Sequence, residues 1–278
     1  MLHFPIFIVF VGSFSFNTAI LTDKNFKDCQ EFFADRRPPQ HFDFLLSANL
    51  EYICQERKQA RFTFATLFDT NLKIPVYSAY KYTASIGPSA RENQFQIDID
   101  IKKKEKDTGK VLQGKTEDYN ESSDYNRGHL APNSYFDSSE QASTFQMTNI
   151  VPQAKRLNNG KWNELETSSR EEMEERCRPG ASYFITGAIF GLSPPPLAGK
   201  INIPSFLYTA ACCLRAKKDG RKFSFAYLVE NKNNPPVKKL SVLELGIQVR
   251  RKYPQQGGTH IQFFEDDCGE WENDLKVN

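Results

Sequence analysis

The chain has 278 residues, 25% of them charged and 39% apolar, with a formal net charge of +2. That length and composition give a sizeable buried core and exclude a disordered or low-complexity chain. The balance is not the strongly basic one common among nucleic-acid binders. Basic residues are nevertheless clustered at 102–106, 215–222, 238–239 and 250–252, which leaves room for a locally positive groove.

The stretch from Phe4 to Phe16 is apolar and uncharged, and small residues follow at Thr18-Ala19. This pattern predicts a secretory signal peptide over 1–19, cleaved near 16–19, with a buried N-terminal strand as the competing reading. The apolar run is too short to span a bilayer comfortably, and no later segment is long and apolar enough, so no membrane span is expected in the mature chain. Residues 20–278 are expected to form one domain, because neither an internal repeat nor a clear linker is present.

Six cysteines remain: Cys29, Cys54, Cys177, Cys212, Cys213 and Cys268. An even count behind a signal peptide implies disulfides in an oxidising compartment. No Cys-x-x-Cys occurs and the histidines His3, His41, His129 and His260 are scattered, which argues against zinc. Cys29 with Cys54 is the expected local staple. The other four are expected to pair among themselves in an order left open. Asn120-Glu121-Ser122 is an N-glycosylation sequon, which suits a secreted surface loop.

In chain order, Cys29 to Phe33 reads as a short helix, broken by Arg37-Pro38-Pro39. Phe62 to Phe68 and Ile74 to Tyr82 read as a hairpin of β-branched and aromatic strands about Asp69-Thr70-Asn71. Pro75 fits an edge or a strand start. Gln94 to Ile101 alternates Phe95, Ile97, Ile99 and Ile101 with polar residues, which predicts a half-buried strand, followed by a long exposed loop to Ser123. Ser139 to Phe145 reads as a short helix, and Thr144 to Val151 contains a short strand. Asn158 to Met173 is the clearest helix, with Trp162, Leu165 and Met173 on one face. Strands are expected over Tyr183 to Phe190, Ile203 to Cys213 and Phe223 to Val229, and a helix over Val242 to Arg250.

The stretch Ser123 to Glu166 carries the chemistry. It opens on Asp124-Tyr125-Asn126-Arg127-Gly128-His129 and continues through Thr148-Asn149-Ile150-Val151-Pro152-Gln153. It ends on Leu157-Asn158-Asn159-Gly160-Lys161-Trp162-Asn163-Glu164-Leu165-Glu166. A neutral histidine can take a proton from water near neutral pH. Mg²⁺ needs few protein ligands and keeps several waters, so a single asparagine oxygen is a sufficient anchor. Arginines beside it can pair with phosphate oxygens.

That ordered set resembles the DNA/RNA non-specific endonucleases, the ββα-metal or His-Me finger family. The likeness is sharpest over 123–166 and extends more loosely from about 62 to 265. Within the family, Cys212-Cys213, the run Ile74 to Tyr80 and Cys268-Gly269-Glu270 are similar to the endonuclease domain-containing members. The resemblance implies an α+β fold, with a central mostly antiparallel sheet flanked by helices and braced by disulfides. It implies a secreted hydrolase that cuts phosphodiester bonds of DNA and RNA with little sequence specificity. His129 would be the base and Asn158 the ligand of Mg²⁺, with Mn²⁺ as a substitute. Arg127 and Arg156 would contact phosphate, and Asn149 and Glu166 would support the site. Glu166 stands eight residues after Asn158, two turns along the same side of a regular helix. Gln153 reads as structural and Trp162 as core.

The chain departs from the family at Asn126, where aspartate is usual. An amide there removes a negative charge near His129 and lowers the imidazole pKa. The competing reading is therefore a nuclease-fold protein with little or no turnover, acting as an extracellular nucleic-acid-binding or interaction protein. A third is a disulfide-rich interaction protein with no nucleic-acid role.

Overall fold

The computed structural model describes residues 19–22, 25–42, 45, 49–57, 61–83, 95–120, 122–190, 196–253 and 260–269. The proposed signal sequence lies almost wholly outside the described residues. Eight strands form one antiparallel sheet: β1 (Ala19–Thr22), β2 (Leu50–Arg57), β3 (Arg61–Asp69), β4 (Ile74–Tyr82), β7 (Ser182–Ile189), β8 (Phe206–Cys213), β9 (Phe223–Glu230) and β10 (Val237–Leu240), hydrogen-bonded in that order. Two further strands, β5 (Tyr125–His129) and β6 (Ile150–Ala154), form a separate antiparallel pair that leads into the helix α3 (Asn163–Arg176). The remaining helices are α1 (Ile99–Thr108), α2 (Glu117–Asn120) and α4 (Val242–Lys252).

The central strands are buried on both faces, which is why they read as continuous apolar runs rather than as alternation. On one face, Met173 and Cys177 at the end of α3 pack with Tyr80, Phe184, Ala211 and Phe225. On the other, Leu245 and Val249 of α4 join a larger core with Tyr77, Tyr208, Ala210 and Phe263. Pro75 is the second residue of β4, where the register against β3 shifts between Leu67 and Phe68, so the missing N–H falls at an irregularity.

Most expected strands and helices stand within a few residues of their expected bounds. Residues 94–101 are the clear exception. The expected strand there is only a single bridge from Gln96 to Gln146, and Ile99 begins α1. The Asp98 carboxylate accepts from the backbone N–H groups of Asp100 and Ile101, and Gly109 closes the helix in the left-handed conformation. These local caps outweigh the alternating pattern. The long exposed loop expected after it is instead α1, α2 and a connection tied by Gln113 to the backbone of Asp98. The lysine run 102–106 lies on α1, where Lys102, Lys103 and Lys104 pair with Glu105, Asp100 and Glu51. It is therefore partly neutralised.

All six cysteines are paired: Cys29–Cys54, Cys177–Cys213 and Cys212–Cys268. Successive residues of β8 face opposite sides of the sheet. Cys213 thus ties the end of α3 to one face, and Cys212 holds the segment after α4 to the other. Replacing Cys177 and Cys213 together by serine removes a bridge between residues 36 apart in sequence. The expected cost is about 3–4 kcal/mol by loop-closure entropy, read as a lower urea midpoint with unchanged secondary structure.

Candidate active site

The site is built on the β5–β6 pair. Its register sets His129 opposite Ile150, Gly128 opposite Val151 and Arg127 opposite Pro152. Period two puts Arg127 and His129 on one face, and Asn126 and Gly128 on the other. The glycine between arginine and histidine has a steric reason. A Cβ at Gly128 would lie 2.2 Å from Oε1 and 2.6 Å from Cβ of Gln153, which packs across it. Gln153 is fully buried, as its structural reading requires, and its amide finds no hydrogen-bond partner among the described residues.

Asn149 sets the turn that follows His129. Its Oδ1 accepts from the Ser78 hydroxyl (2.9 Å) and from Ala131 N–H (2.9 Å), and its Nδ2 donates to the carbonyls of Ala131 (3.0 Å) and Thr144 (2.9 Å). Its backbone carbonyl accepts from Leu130 N–H. All four hydrogen-bonding positions of this buried amide are filled, so its role is to position rather than to touch substrate.

His129 lies between two aromatic rings. Phe95 is 5.4 Å and Phe145 5.0 Å away between centroids, the latter edge-on. Nε2 is buried and has no hydrogen-bond partner among the described residues. Burial, and then the Arg127 charge, lower the imidazole pKa to about 4, so the ring is neutral at pH 7. The lowering expected from Asn126 is present, but desolvation and Arg127 are its causes. Arg127 stacks on Phe95 at 4.9 Å, and its Nη1 approaches Oδ1 of Asn120 at 3.5 Å. Sequence reasoning missed both phenylalanines. Phe95 was visible only as one apolar position of the expected strand at 94–101.

Asn126 does not approach the imidazole by hydrogen bond. Its Nδ2 donates to Oδ1 of Asn159 at 3.4 Å, which joins β5 to the start of the helix. That start is a π-helical turn, Leu157–Trp162, with a kink at Gly160. Such wide turns recur at functional sites. Asn158 and Glu166 are therefore not related by two regular α-helical turns, as the expected helix implied. Asn158 is half-buried and its side chain makes no hydrogen bond among the described residues, so it is not an N-cap. Arg156 precedes it, exposed, with its backbone N–H donating to Oδ1 of Asn233. Asn231 also clips this junction. It accepts from Ala154 N–H and donates to the carbonyls of Pro152 and Pro204. Both asparagines lie in a polar turn that reads in sequence only as a loop.

Glu166 lies on the first turn of α3 and is half-buried. Desolvation raises its pKa to about 8. Tyr135 donates to the Glu166 backbone carbonyl at 2.6 Å. Among the described residues no three His, Cys, Asp or Glu side chains cluster to hold a metal ion. The uncommitted oxygen of Asn158 suits instead a hard cation that keeps most of its water.

The sequence model of DNA/RNA non-specific endonucleases matches residues 48–265. The chain belongs to this family. It is 25% identical over 270 residues to the human Endonuclease domain-containing 1 protein, covering 91% of this chain and 50% of that protein. It is 28% identical over 266 residues to the mouse protein of the same name, covering 90% and 49%. The chain thus spans about half the length of these curated relatives. A Nostoc nuclease is 31% identical over 100 residues, 35% of each chain. The solved EndoG of an EndoG/EndoGI complex shares the fold, with a TM-score of 0.54 and 18% identity over 70% of this chain and 82% of that one. In this chain His129 ends β5, and Asn158 lies in the π-helical turn that precedes α3.

Two outcomes follow for the supporting residues. Asn149→Ala leaves several buried partners unsatisfied and is expected to cost about 3 kcal/mol or more in chemical denaturation. For Glu166, the folded carboxyl keeps a proton that the unfolded chain releases above its ordinary value of 4.5, up to about 8. Without metal, stability should therefore fall as pH rises through that interval. Glu166→Gln should then melt higher than the parent at pH 8 by about 2–4 °C, with the gap closing at pH 4.5, in scans with EDTA.

Proposed function

We propose that this endonuclease-family chain is a secreted, metal-dependent nuclease that hydrolyses phosphodiester bonds of DNA and RNA with little sequence preference. The observation that carries this reading is His129: an imidazole at the end of β5, kept neutral by burial and Arg127. A neutral imidazole accepts the proton of a water as that water attacks phosphorus. The phosphorus–oxygen bond to the leaving group then breaks, and that oxygen must gain a proton or a counter-charge. Arg127, braced on Phe95, and the exposed Arg156 pair with phosphate oxygens. Contact with backbone rather than bases gives weak sequence preference.

Asn158 would hold Mg²⁺ through its amide oxygen, with Glu166 ordering the surrounding waters. When bound, the ion supplies charge stabilisation at the phosphate and the leaving oxygen. Glu166 ionises more readily beside a cation, because an opposite charge favours its charged form. Residues 20–278 act as one domain behind a signal peptide. The three disulfides support an oxidising compartment. No helix among the described residues is long and apolar enough to cross a membrane.

Purified protein should cut plasmid DNA and RNA with Mg²⁺ or Mn²⁺ and stop with EDTA. His129→Ala should lower the rate about 10²–10⁴-fold while still binding nucleic acid. A parent that cuts neither substrate would assign the fold to binding alone, and a variant that cuts as fast as the parent would remove His129 as the base. The acid limb of the pH–rate profile tests the base: protonation of His129 should abolish turnover only well below pH 6.

A further inference from the structure

We propose that Asn120 carries an N-linked glycan at the rim of the His129 site, and that this glycan favours single strands over duplex. The substrate preference rests on the nuclease reading above; the modification does not. Asn120 is the exposed last residue of α2, and Asn120-Glu121-Ser122 is the sequon. Its Oδ1 is the atom that meets Arg127 Nη1 at 3.5 Å, while its Nδ2 makes no hydrogen bond among the described residues. Nδ2 is the atom that a glycan occupies, so the modification leaves the arginine contact in place.

The position of Asn120 is fixed rather than loose. Tyr119 beside it is buried in the core, and Asp118 pairs with Lys200 at 2.6 Å. After the sequon, the Ser122 hydroxyl accepts from Tyr125 N–H at 3.0 Å, and its carbonyl accepts from Lys155 at 3.1 Å. The sugar branch therefore starts one side chain away from Arg127, which shares the His129 face of β5. A phosphate brought to Arg127 must pass this branch. A single strand can bend and lie in the remaining space. A duplex is a stiff, wide rod that must bring its second strand along, so it meets the glycan.

The test uses the full chain secreted from eukaryotic cells. Intact mass is recorded before and after an endoglycosidase that leaves one sugar on Asn120. Affinity for a short duplex and for the same sequence as a single strand is measured in EDTA, so that the readout does not need turnover. The expected result is a mass loss on trimming and a roughly tenfold gain in duplex affinity, with single-strand affinity little changed. Asn120→Gln should reproduce the gain, and Ser122→Thr, which keeps the sequon, should not. No glycan mass, or equal changes for both ligands, overturns the proposal. Cleavage of the single strand with Mg²⁺ is scored separately. Its absence refutes the nuclease reading, while the affinity ratio still decides the effect of the glycan.

Discussion

The site depends on one buried amide. Asn149 joins three parts of the chain that are distant in sequence: Ser78 on β4, the turn at Ala131 after His129, and the carbonyl of Thr144. Ser78 in turn bonds Thr66 on β3 at 3.0 Å, so the network is anchored in the middle of the large sheet. A fully satisfied buried network is rigid, because any shift leaves a polar atom unpaired in a low dielectric. The position of His129 is thereby referred to the sheet rather than to its own short strand pair, which has only five residues per strand.

The electrostatics of the site follow from enclosure more than from charge. Two phenylalanines and Arg127 surround the imidazole, and desolvation acts first on its protonation. Glu166 obeys the same rule with the opposite sign of shift. With the base neutral and the acid protonated, the arginines leave the site positive at rest. Such a site gains most when phosphate and a cation arrive together, since each relieves the other's cost of desolvation.

The sheet was legible in the sequence wherever burial was strong. The runs 62–68, 74–82, 183–190 and 223–229 carry enough aromatic and β-branched residues to fix strands within about two residues. Residues 94–101 misled because alternating isoleucines fit a strand as well as a helix start. The deciding signal was Asp98 as a cap with Gly109 as a stop. In the site, residue types and order pointed to His129, Asn149, Asn158 and Glu166. Their surroundings were not readable. Nothing local marks Phe145 as a wall of the imidazole, or Asn231 as a clip on β6, because the partners lie far apart in sequence. The π-helical turn at Leu157–Trp162 was hidden for a different reason: the sequence there is an adequate α-helix start.

Cys212 and Cys213 are neighbours that bond to partners on opposite sides of β8. A strand keeps this division only while its register holds, since a slip by one residue exchanges the two faces. The pairing is therefore consistent only with β8 seated between β7 and β9 in its present register. If oxidation came first, the two adjacent thiols would be chemically equivalent, and nothing would tell Cys177 from Cys268. Two consecutive residues thus check the register of the strand: only with the pleat in place does each thiol face its own partner.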